Sequence, residues 1–349
     1  MNITLGNRIV GAATRPVIIA EVSGNHNGDI NIAKAIINEA ARAGADVVKL
    51  QTYRPDTMTI KSDNPDFQIK GDLWSGKSLW DLYEWAHTPY EWHQELFDHS
   101  ASLGITCIST PFDESALELL ERLDCPFYKI ASFEITDLPL IKVVAKTRKP
   151  MIISTGMADA EEIKRALEIV RKYGASDAVL LHCVSGYPTP TEAMNLTTIV
   201  TLKREMGCHI GLSDHSLDST AAIAAVALGA KVIEKHLTLR RSDGGPDAAF
   251  SLEPNEFAEL VRSVHACHDA LGDGVLGIQQ HERPNLRFRR SIYAVEPIKV
   301  GDKFTLNNVK RIRPGYGLSP LHYDALLRKR AKRNIATGER IVVDDLNDE

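Results

Sequence analysis

Two histidines stand 21 residues apart (236 minus 215), each at the end of a short apolar run. His215 closes the run HIGLSDH, and His236 lies near the end of the run KVIEKHL. If the two runs are neighbouring strands of a parallel sheet, their carboxyl ends bring the imidazoles side by side. Paired neutral imidazoles suit a divalent transition ion and leave positions open for water and a substrate oxygen. The spacing therefore predicts a two-histidine metal site, with a structural core role as the alternative for either residue.

Lysines and hydroxyl-bearing residues end most of the other apolar runs. The cations are Lys49 and Lys129, at the second and fourth runs. The hydroxyls belong to Thr110, Ser132, Ser154, Ser185 and Ser213. Because a phosphate or carboxylate requires cations together with several hydroxyl donors, this set predicts an anion site. The alternative for a single lysine is a structural ion pair with Glu21 or Glu234.

Other classes of protein are open at this point. A strand lysine such as Lys129 or Lys235 would serve as the Schiff-base nucleophile of an aldolase. A metallohydrolase barrel would place an H-x-H pattern after the first strand, where this sequence has Asn25, His26 and Asn27. Those three side chains suit sugar hydroxyls or a bound water. A non-catalytic sugar-binding protein is the third class, and the lysines and histidines at the run ends argue against it.

Eight apolar runs carry these residues and alternate with amphipathic stretches. The runs are VIIAEV, VVKLQTY, ITCISTPF, FYKIAS, MIIST, VLLHCVS, HIGLSDH and KVIEKHL. Between them, stretches such as 30–44 and 160–174 repeat apolar residues every three or four positions, as amphipathic helices do. Eight strands, each followed by a helix, predict a (β/α)8 TIM barrel whose strand ends share one mouth. The polar run ends are therefore the predicted site.

The chain of 349 residues is longer than one barrel, which needs about 250. Its predicted organisation is a barrel over 1–280, a linker over 281–290 and a small β-rich domain over 291–349. The linker is polar and basic and contains Pro284. Within the barrel, the segment 54–88 is far longer than a usual strand-to-helix connection, so its aromatic residues either contact substrate or cover the rim. These residues are Trp74, Trp80, Tyr83 and Trp85.

Composition limits the classes of function. A net charge of -5, with 44% hydrophobic and 25% charged residues, describes an ordinary globular protein without the basic footprint of a nucleic-acid-binding one. No apolar stretch is long enough to span a membrane, and the first residues do not resemble a secretory signal. We therefore expect a cytoplasmic protein without nucleic-acid or membrane partners. Five scattered cysteines predict reduced thiols rather than disulfides.

Ten short motifs occur in the same order as in a known family. They are AEVSGNHNG, KLQTY, STPFD, KIAS, STGM, HCVSGYP, GLSDHS, EKHLTL, GPDAAFSLEP and RPGYG. With these motifs the chain resembles the sialic acid synthase family over nearly its whole length. The resemblance implies a TIM barrel followed by a small C-terminal antifreeze-like (SAF) domain. It also implies a domain-swapped homodimer in which each small domain covers the barrel mouth of the partner.

The resemblance further implies a reaction and a role for each residue. Family members condense phosphoenolpyruvate with the open-chain form of an N-acetylated sugar, giving a nine-carbon 2-keto acid and phosphate. The divalent ion, Mn²⁺ or Mg²⁺, would be held by His215 and His236. The phosphoenolpyruvate site would comprise Lys49, Thr110, Lys129, Ser132, Ser154 and Ser213. The sugar would contact Glu21, Gln51, Tyr187 and Asp247, with Glu21 also counted among the catalytic residues, and Arg313 of the partner subunit would reach its N-acetyl group.

Water must add during such a condensation, and Glu134 or Glu234 would position it. Within the family, the SGNHNG loop and the tryptophan-rich segment favour a 2,4-diacetamido-2,4,6-trideoxy-altrose as the acceptor. Acceptors that lead to N-acetylneuraminate or legionaminate are the alternatives. The sequence AAF that follows Asp247 departs from the family pattern.

Overall fold

The computed structural model describes residues 2–71, 73–174 and 178–347 of the chain. The chain divides into two units, Met1–Gly272 and Asp273–Glu349. The division falls before residue 280, where the sequence predicts the end of the barrel, so that 273–280 belong to the second unit. The first unit begins with an antiparallel hairpin of β1 (Ile3–Leu5) and β2 (Arg8–Val10).

Eight parallel strands then close into a barrel. They are β3 (Val17–Glu21), β4 (Val47–Thr52), β5 (Thr106–Pro111), β6 (Tyr128–Ile130), β7 (Met151–Ser154), β8 (Val179–Cys183), β9 (Ile210–Asp214) and β10 (Val232–His236). Each strand pairs with the next along the chain, and β10 pairs with β3 to close the ring. Every one of the eight apolar runs forms one of these strands, which confirms the predicted TIM barrel.

Helices follow the strands and cover the barrel. Those of the first unit are α1 (Ile30–Ala43), α2 (Pro55–Met58), α3 (Leu79–Ala86), α4 (His93–Ser102), α5 (Glu114–Arg122), α6 (Leu138–Lys146), α7 (Ala160–Tyr173), α8 (Thr198–Met206), α9 (Thr220–Ala227) and α10 (Pro254–Leu271). The first of them shows how the sequence sets the ends of a helix. Asp29 accepts a hydrogen bond from the Asn31 N–H at the start, and Gly44 takes the left-handed conformation at the end.

Strand alternation decides which side chains reach the barrel interior. In β10, Glu234 and His236 line the interior, whereas Lys235 between them lies on the opposite face. All five residues of this strand are buried, because the helices cover the outer face of the barrel. The polar strand ends are therefore enclosed, and their charges must be satisfied by one another or by a ligand.

The second unit has a small apolar core of its own. Its elements are β11 (Ser291–Ala294), β12 (Val309–Ile312), α11 (Tyr323–Leu326), β13 (Arg330–Ala331) and β14 (Leu346–Asn347). The strands pair antiparallel as β11 with β12 and β13 with β14. The core is built from Ile292, Phe304, Val309, Leu326 and Ile341. Ahead of it, a 3-10 helix at Gln280–Phe288 covers most of the stretch predicted as a linker over 281–290.

Among the described residues, the cysteines are free thiols, and the helices lack the features of a membrane span. The free thiols are Cys107, Cys125, Cys183, Cys208 and Cys267. Across residues 2–71, 73–174 and 178–347, no helix combines the length and the apolar character that crossing a bilayer requires.

Candidate active site

A cavity of about 400 Å³ lies at the carboxyl ends of the barrel strands. The predicted site residues that line it are Lys49, Gln51, Lys129, Ser132, Glu134, Ser154, Tyr187, Ser213, His215, Glu234, His236 and Asp247. Barrel closure thus brings together residues from β4 to β10 and the loops that follow them. Glu21, Thr110 and Ser185 belong to the same unit without lining the cavity, and Arg313 belongs to the second unit.

Two lysines and two glutamates form a buried cluster, which we call the ionic floor (Glu21, Lys49, Lys129 and Glu234). Lys49 Nζ lies 2.6 Å from Glu21 Oε2 and 3.2 Å from Glu234 Oε2. Lys129 Nζ lies 3.4 Å from Glu234 Oε1. The lysines therefore make the ion pairs that the sequence offered as an alternative to an anion site. They also line the cavity, so these ion pairs are compatible with the predicted anion site.

Glu21 bonds to the residues around the ionic floor and does not line the cavity. Its Oε1 accepts hydrogen bonds from Gln51 Nε2 at 3.2 Å and from the Ser23 N–H at 3.0 Å. Because Lys49 occupies its other oxygen, the carboxylate is engaged by protein groups on both sides. In this structure Glu21 therefore orients Lys49 and Gln51, and its catalytic role and sugar contact stay predictions.

Burial and pairing set the protonation of the cavity. Burial lowers the pKa of Lys49 to about 7. Burial would raise the pKa of Glu234, but Lys129 and Lys49 outweigh it and hold that pKa well below its usual range. For Glu134, burial raises the pKa to about 7, with Lys129 opposing the change. The cavity thus contains one glutamate fixed as a carboxylate and one that exchanges its proton near neutral pH.

The hydroxyl groups around the floor differ in what they bond. Ser213 Oγ donates to Glu234 Oε1 at 3.0 Å, and Ser132 Oγ accepts from the Gly156 N–H at 3.1 Å. Within the described residues, Ser154 Oγ and Thr110 Oγ1 are buried without a hydrogen-bond partner. An unpaired buried hydroxyl costs free energy. Ser154, which lines the cavity, is therefore a donor available to a bound anion, whereas Thr110 does not reach the cavity surface.

The imidazoles of His215 and His236 lie together, with ring centroids 5.4 Å apart. His215 Nδ1 lies 3.2 Å from the Val184 carbonyl oxygen, to which it donates a hydrogen bond. Burial would lower the pKa of His215, but contact with Cys183 raises it above its usual value. Burial, with the charges of His215 and Lys49, holds the pKa of His236 well below its usual value. His236 is therefore a neutral imidazole at physiological pH.

This arrangement fits a divalent ion held by two protein side chains. His236 Nδ1 is buried without a hydrogen-bond partner in the described part of the chain, and Asp247 Oδ2 lies 3.9 Å from it. A buried imidazole nitrogen without a partner is suited to accept an ion. Over the described ranges, no cluster of three or more histidine, cysteine, aspartate or glutamate side chains could hold a metal. Water and substrate oxygens would therefore complete the coordination of an ion at the two histidines.

The segment 54–88 gives the cavity an apolar side, which we call the apolar wall (Ile69, Trp74, Leu79, Leu82 and Tyr83). Trp74 Nε1 donates to the Pro246 carbonyl oxygen at 2.7 Å, which ties the segment to the loop after β10. Of the four aromatic residues singled out in the sequence, Trp74 and Tyr83 line the cavity, and Trp80 and Trp85 do not. The segment therefore contacts the cavity through two of these four aromatic residues.

The loop residues Asn25, His26 and Asn27 bond to protein groups and do not line the cavity. Asn25 Nδ2 donates to the Leu237 carbonyl oxygen at 3.0 Å, and His26 Nε2 lies 3.2 Å from Thr88 Oγ1. The loop therefore braces the first strand against neighbouring segments. The expected contacts with sugar hydroxyls stay a prediction, since none of the three side chains lines the cavity.

Lys235 is also absent from the cavity lining. Its Nζ lies 2.8 Å from Asp214 Oδ2, and both side chains are fully buried. An amine held in this way on the outer face of the strand cannot form an imine with a substrate in the cavity. Of the two lysines considered as the Schiff-base nucleophile of an aldolase, Lys129 therefore remains a candidate.

Two residues that were not predicted line the cavity beside the histidines. The Phe250 ring centroid lies 4.8 Å from that of His236, and Cys183 Sγ lies 3.9 Å from His215 Nδ1. Cys183 ends β8, so its strand position was a usable signal. Phe250 lies in the AAF sequence after Asp247, where no periodic pattern marks a direction.

A TIM barrel whose mouth combines buried lysines and hydroxyl groups with a pair of imidazoles, followed by a small β-rich unit, defines a class of two-domain barrel enzymes. Residues 36–276 match the model of the NeuB family, and residues 289–347 match that of the SAF domain. The chain therefore belongs to the NeuB family, which confirms its resemblance to the sialic acid synthases.

Characterised relatives cover almost the whole chain. A pseudaminic acid synthase of Campylobacter jejuni subsp. jejuni serotype O:23/36 (strain 81-176) is 45% identical over 94% of this chain and 96% of its own. A pseudaminic acid synthase of Helicobacter pylori (strain ATCC 700392 / 26695) is 42% identical over 95% of this chain and 98% of its own. The crystal structure of the N-acetylneuraminic acid synthetase from Leptospira borgpetersenii serovar Hardjo-bovis, in complex with citrate, matches with a TM-score of 0.74 at 35% identity. That match covers 83% of this chain and 96% of the other.

Proposed function

We propose that this enzyme condenses phosphoenolpyruvate with open-chain 2,4-diacetamido-2,4,6-trideoxy-L-altrose to give pseudaminic acid and phosphate. The chain is a phosphoenolpyruvate-dependent nonulosonic acid synthase, supported by pseudaminic acid synthases at 42 to 45% identity. The proposal adds the acceptor, the phosphate product and the ion. The observation that carries it is one cavity lined both by Lys49, Lys129 and Glu234 of the ionic floor and by the residues of the apolar wall.

The ionic floor is the proposed donor site. Lys49 and Lys129 line the cavity with cations, and Ser154 offers a hydroxyl that has no partner within the described residues. Charge-assisted hydrogen bonds from such groups bind the phosphate and carboxylate of phosphoenolpyruvate. Because the phosphate and the carboxylate are both bound, the enol carbon is oriented toward the acceptor. This orientation lowers the entropic part of the barrier.

The apolar wall is the proposed site for the sugar chain. The acceptor lacks the 6-hydroxyl of N-acetylmannosamine and carries a second acetamido group, so it exposes two additional methyl-bearing regions. Leu79, Leu82 and Tyr83 can cover such groups without leaving a hydroxyl buried and unpaired. Hydroxyl-rich acceptors would lose free energy against the same surface.

His215 and His236 are the proposed holders of a divalent ion, Mn²⁺ or Mg²⁺. When bound there, the ion would supply electrophilic polarisation of the acceptor aldehyde and stabilise negative charge that develops on its oxygen. The neutral state of His236 supports this role, since a protonated imidazole cannot bind a cation.

In the proposed reaction, C3 of phosphoenolpyruvate forms a bond to the aldehyde carbon, and the aldehyde oxygen takes up a proton. Water adds to C2, the bond between C2 and the phosphate oxygen breaks, and loss of the hydroxyl proton leaves the 2-keto group. Glu134 is suited to take the proton from the water, because its pKa is raised to about 7 and its Oε2 has no partner among the described residues. Glu234 instead stays ionised between Lys49 and Lys129, where it fixes both ammonium groups.

Phosphate release tests the reaction directly. We expect release to require both phosphoenolpyruvate and the diacetamido sugar, with kcat/KM at least tenfold above that for N-acetylmannosamine. Chelation should stop release, and added Mn²⁺ should restore it. An aldolase that used Lys129 would survive chelation and lose activity on borohydride treatment. A sugar-binding protein would be stabilised by the sugar without releasing phosphate, and either result would contradict the proposal.

The proposed assembly is a domain-swapped homodimer in which Arg313 of the partner subunit reaches the N-acetyl group. Mixing two inactive variants tests it. Arg313→Ala lacks the guanidinium, and His236→Ala lacks an ion ligand while losing few core contacts, so it should fold. If the arginine acts across the interface, mixed dimers regain one intact site and activity returns. An arginine that acts within its own subunit would give no recovery.

A further inference from the structure

A buried ion pair joins the two strands that lead to the histidines. Lys235 lies between Glu234 and His236 in β10, and Asp214 directly precedes His215 at the end of β9. Lys235 Nζ lies 2.8 Å from Asp214 Oδ2, and both side chains are fully buried. The two residues are also register partners across the neighbouring strands. Neither lines the cavity.

The same ammonium group bonds to the turn that follows His215. It donates to the Ser216 carbonyl oxygen, to Ser216 Oγ at 3.2 Å and to the Asp218 carbonyl oxygen at 3.3 Å. Asp214 closes the turn from the other side, since its Oδ1 accepts from the Ser216 N–H at 2.9 Å. The residues on both sides of His215 are thus bonded to one side chain that is adjacent to His236.

We propose that Lys235 and Asp214 are positioning residues that set the separation and orientation of His215 and His236. Strand alternation keeps Lys235 away from any ligand in the cavity, so its effect must pass through the backbone of the two histidines. An ammonium group with several acceptors in a buried site restricts the turn in a way that an apolar side chain does not. The inference rests on the proposed function, because the ion is the group that the separation serves.

Two variants separate positioning from folding. Lys235→Met leaves the Asp214 carboxylate buried without its cation, which threatens the fold. Asp214→Asn combined with Lys235→Met removes both charges, so no uncompensated charge stays buried. Arg8→Met is the matched control, because it removes the cation of another ion pair in the same unit, 3.2 Å from Asp46 Oδ1.

The full chain is titrated with Mn²⁺ alone and with phosphoenolpyruvate alone by calorimetry, and thermal unfolding is recorded for each variant. We expect the double variant to bind Mn²⁺ at least roughly tenfold more weakly than wild type, as when a residue that supports a metal ligand is lost. Its affinity for phosphoenolpyruvate should stay within about twofold of wild type, since Lys49, Lys129 and Ser154 are unchanged. Arg8→Met should match wild type in both titrations.

The outcomes separate this inference from the proposed function. A folded double variant with wild-type Mn²⁺ affinity would overturn the positioning role while leaving the proposed reaction intact. Equal weakening of Mn²⁺ and phosphoenolpyruvate binding would also overturn it, because that pattern reports a general loss of structure. Wild-type protein that binds no Mn²⁺ would contradict the proposed ion site itself, and the positioning role with it.

Discussion

The hydroxyl of Ser23 donates a hydrogen bond to Asp247 Oδ2, which links the loop after the first barrel strand to the segment beyond the eighth. The Ser23 N–H donates in addition to Glu21 Oε1 at 3.0 Å. At φ 47°, Ser23 adopts the left-handed conformation that side chains other than glycine rarely take. One buried serine therefore orients a carboxylate of the cavity and a carboxylate of the ionic floor.

Ser23→Ala should weaken acceptor binding more than donor binding. The Asp247 carboxylate loses a charge-assisted hydrogen bond worth about 1.5 kcal/mol, which corresponds to roughly a tenfold increase in the KM for the sugar. The KM for phosphoenolpyruvate should change less than about twofold. Phosphate release at varied concentrations of each substrate measures both constants, with Ser263→Ala in α10, a half-buried serine bonded to Glu259, as the control. An unchanged KM for the sugar would show that Ser23 does not orient Asp247 for binding.

Glu134→Gln should remove an ionisation from the pH profile. With the pKa of Glu134 raised to about 7, its carboxylate forms as pH rises through neutrality, and activity that needs a proton acceptor rises with it. The amide cannot accept the proton, so kcat should fall by about two orders of magnitude or more, and the rising limb near pH 7 should disappear.

The pKa of Lys49 is also about 7. Its ammonium group loses its charge as pH rises, so anion binding by Lys49 should weaken over the range in which the Glu134 carboxylate forms. Measuring kcat/KM between pH 5.5 and 9 for wild type and Glu134→Gln separates the two groups. A rising limb that persists in the variant would assign the proton transfer to another residue.

Leu82→Asn should change the preference among acceptors. The new amide can pair with a hydroxyl at the apolar wall, so the ratio of kcat/KM for the diacetamido sugar over N-acetylmannosamine should fall about tenfold. Ile60→Asn is the control, since this residue belongs to the same segment and is 61% exposed. Equal ratios in wild type and Leu82→Asn would remove the apolar wall from acceptor selection.

Two buried histidines should make the fold sensitive to mild acid. Burial lowers the pKa of His26 and of His93 to about 4. A depressed folded-state pKa gives stability that is present above the unfolded value near 6.5 and is lost as pH falls toward 4. Each histidine should therefore contribute about 2 kcal/mol to the loss of unfolding free energy between pH 7 and pH 5.

Urea unfolding of His26→Gln at the two pH values checks this expectation. The drop in unfolding free energy should be smaller than in wild type by about 2 kcal/mol, because the variant has no proton to bind at this position. His281→Gln, at an exposed site, should behave as wild type. An identical drop in His26→Gln and wild type would mean that His26 does not couple folding to pH.

The barrel could be predicted because strands buried on both faces are nearly continuous apolar runs, and each run here ends in a polar residue. The histidine pair followed from the same logic, since His215 and His236 are separated by one strand and one helix. Strand alternation along Glu234, Lys235 and His236 also predicts that Lys235 points outward, because its two neighbours point into the barrel.

The remaining differences depend on tertiary contacts that no local pattern specifies. The Glu21 carboxylate bonds to Lys49 and Gln51, which come from another strand, and it does not line the cavity. The Asn25 side chain donates a hydrogen bond to the carbonyl oxygen of Leu237, which lies more than 200 residues further along the chain. Phe250 reaches the histidines from an irregular segment. Each outcome depends on which neighbour the closed barrel supplies.

The ionic floor balances two ammonium groups, Lys49 and Lys129, against the carboxylates of Glu21 and Glu234. When all four are ionised they carry no net charge, so the proposed donor meets a neutral surface despite its own multiple negative charges. The positive charge that balances the donor must then come from solution. It arrives either as a proton that the site takes up or as a dissolved cation that binds together with the donor. Calorimetric heats of donor association should accordingly vary with the ionisation enthalpy of the buffer and with the salts it contains.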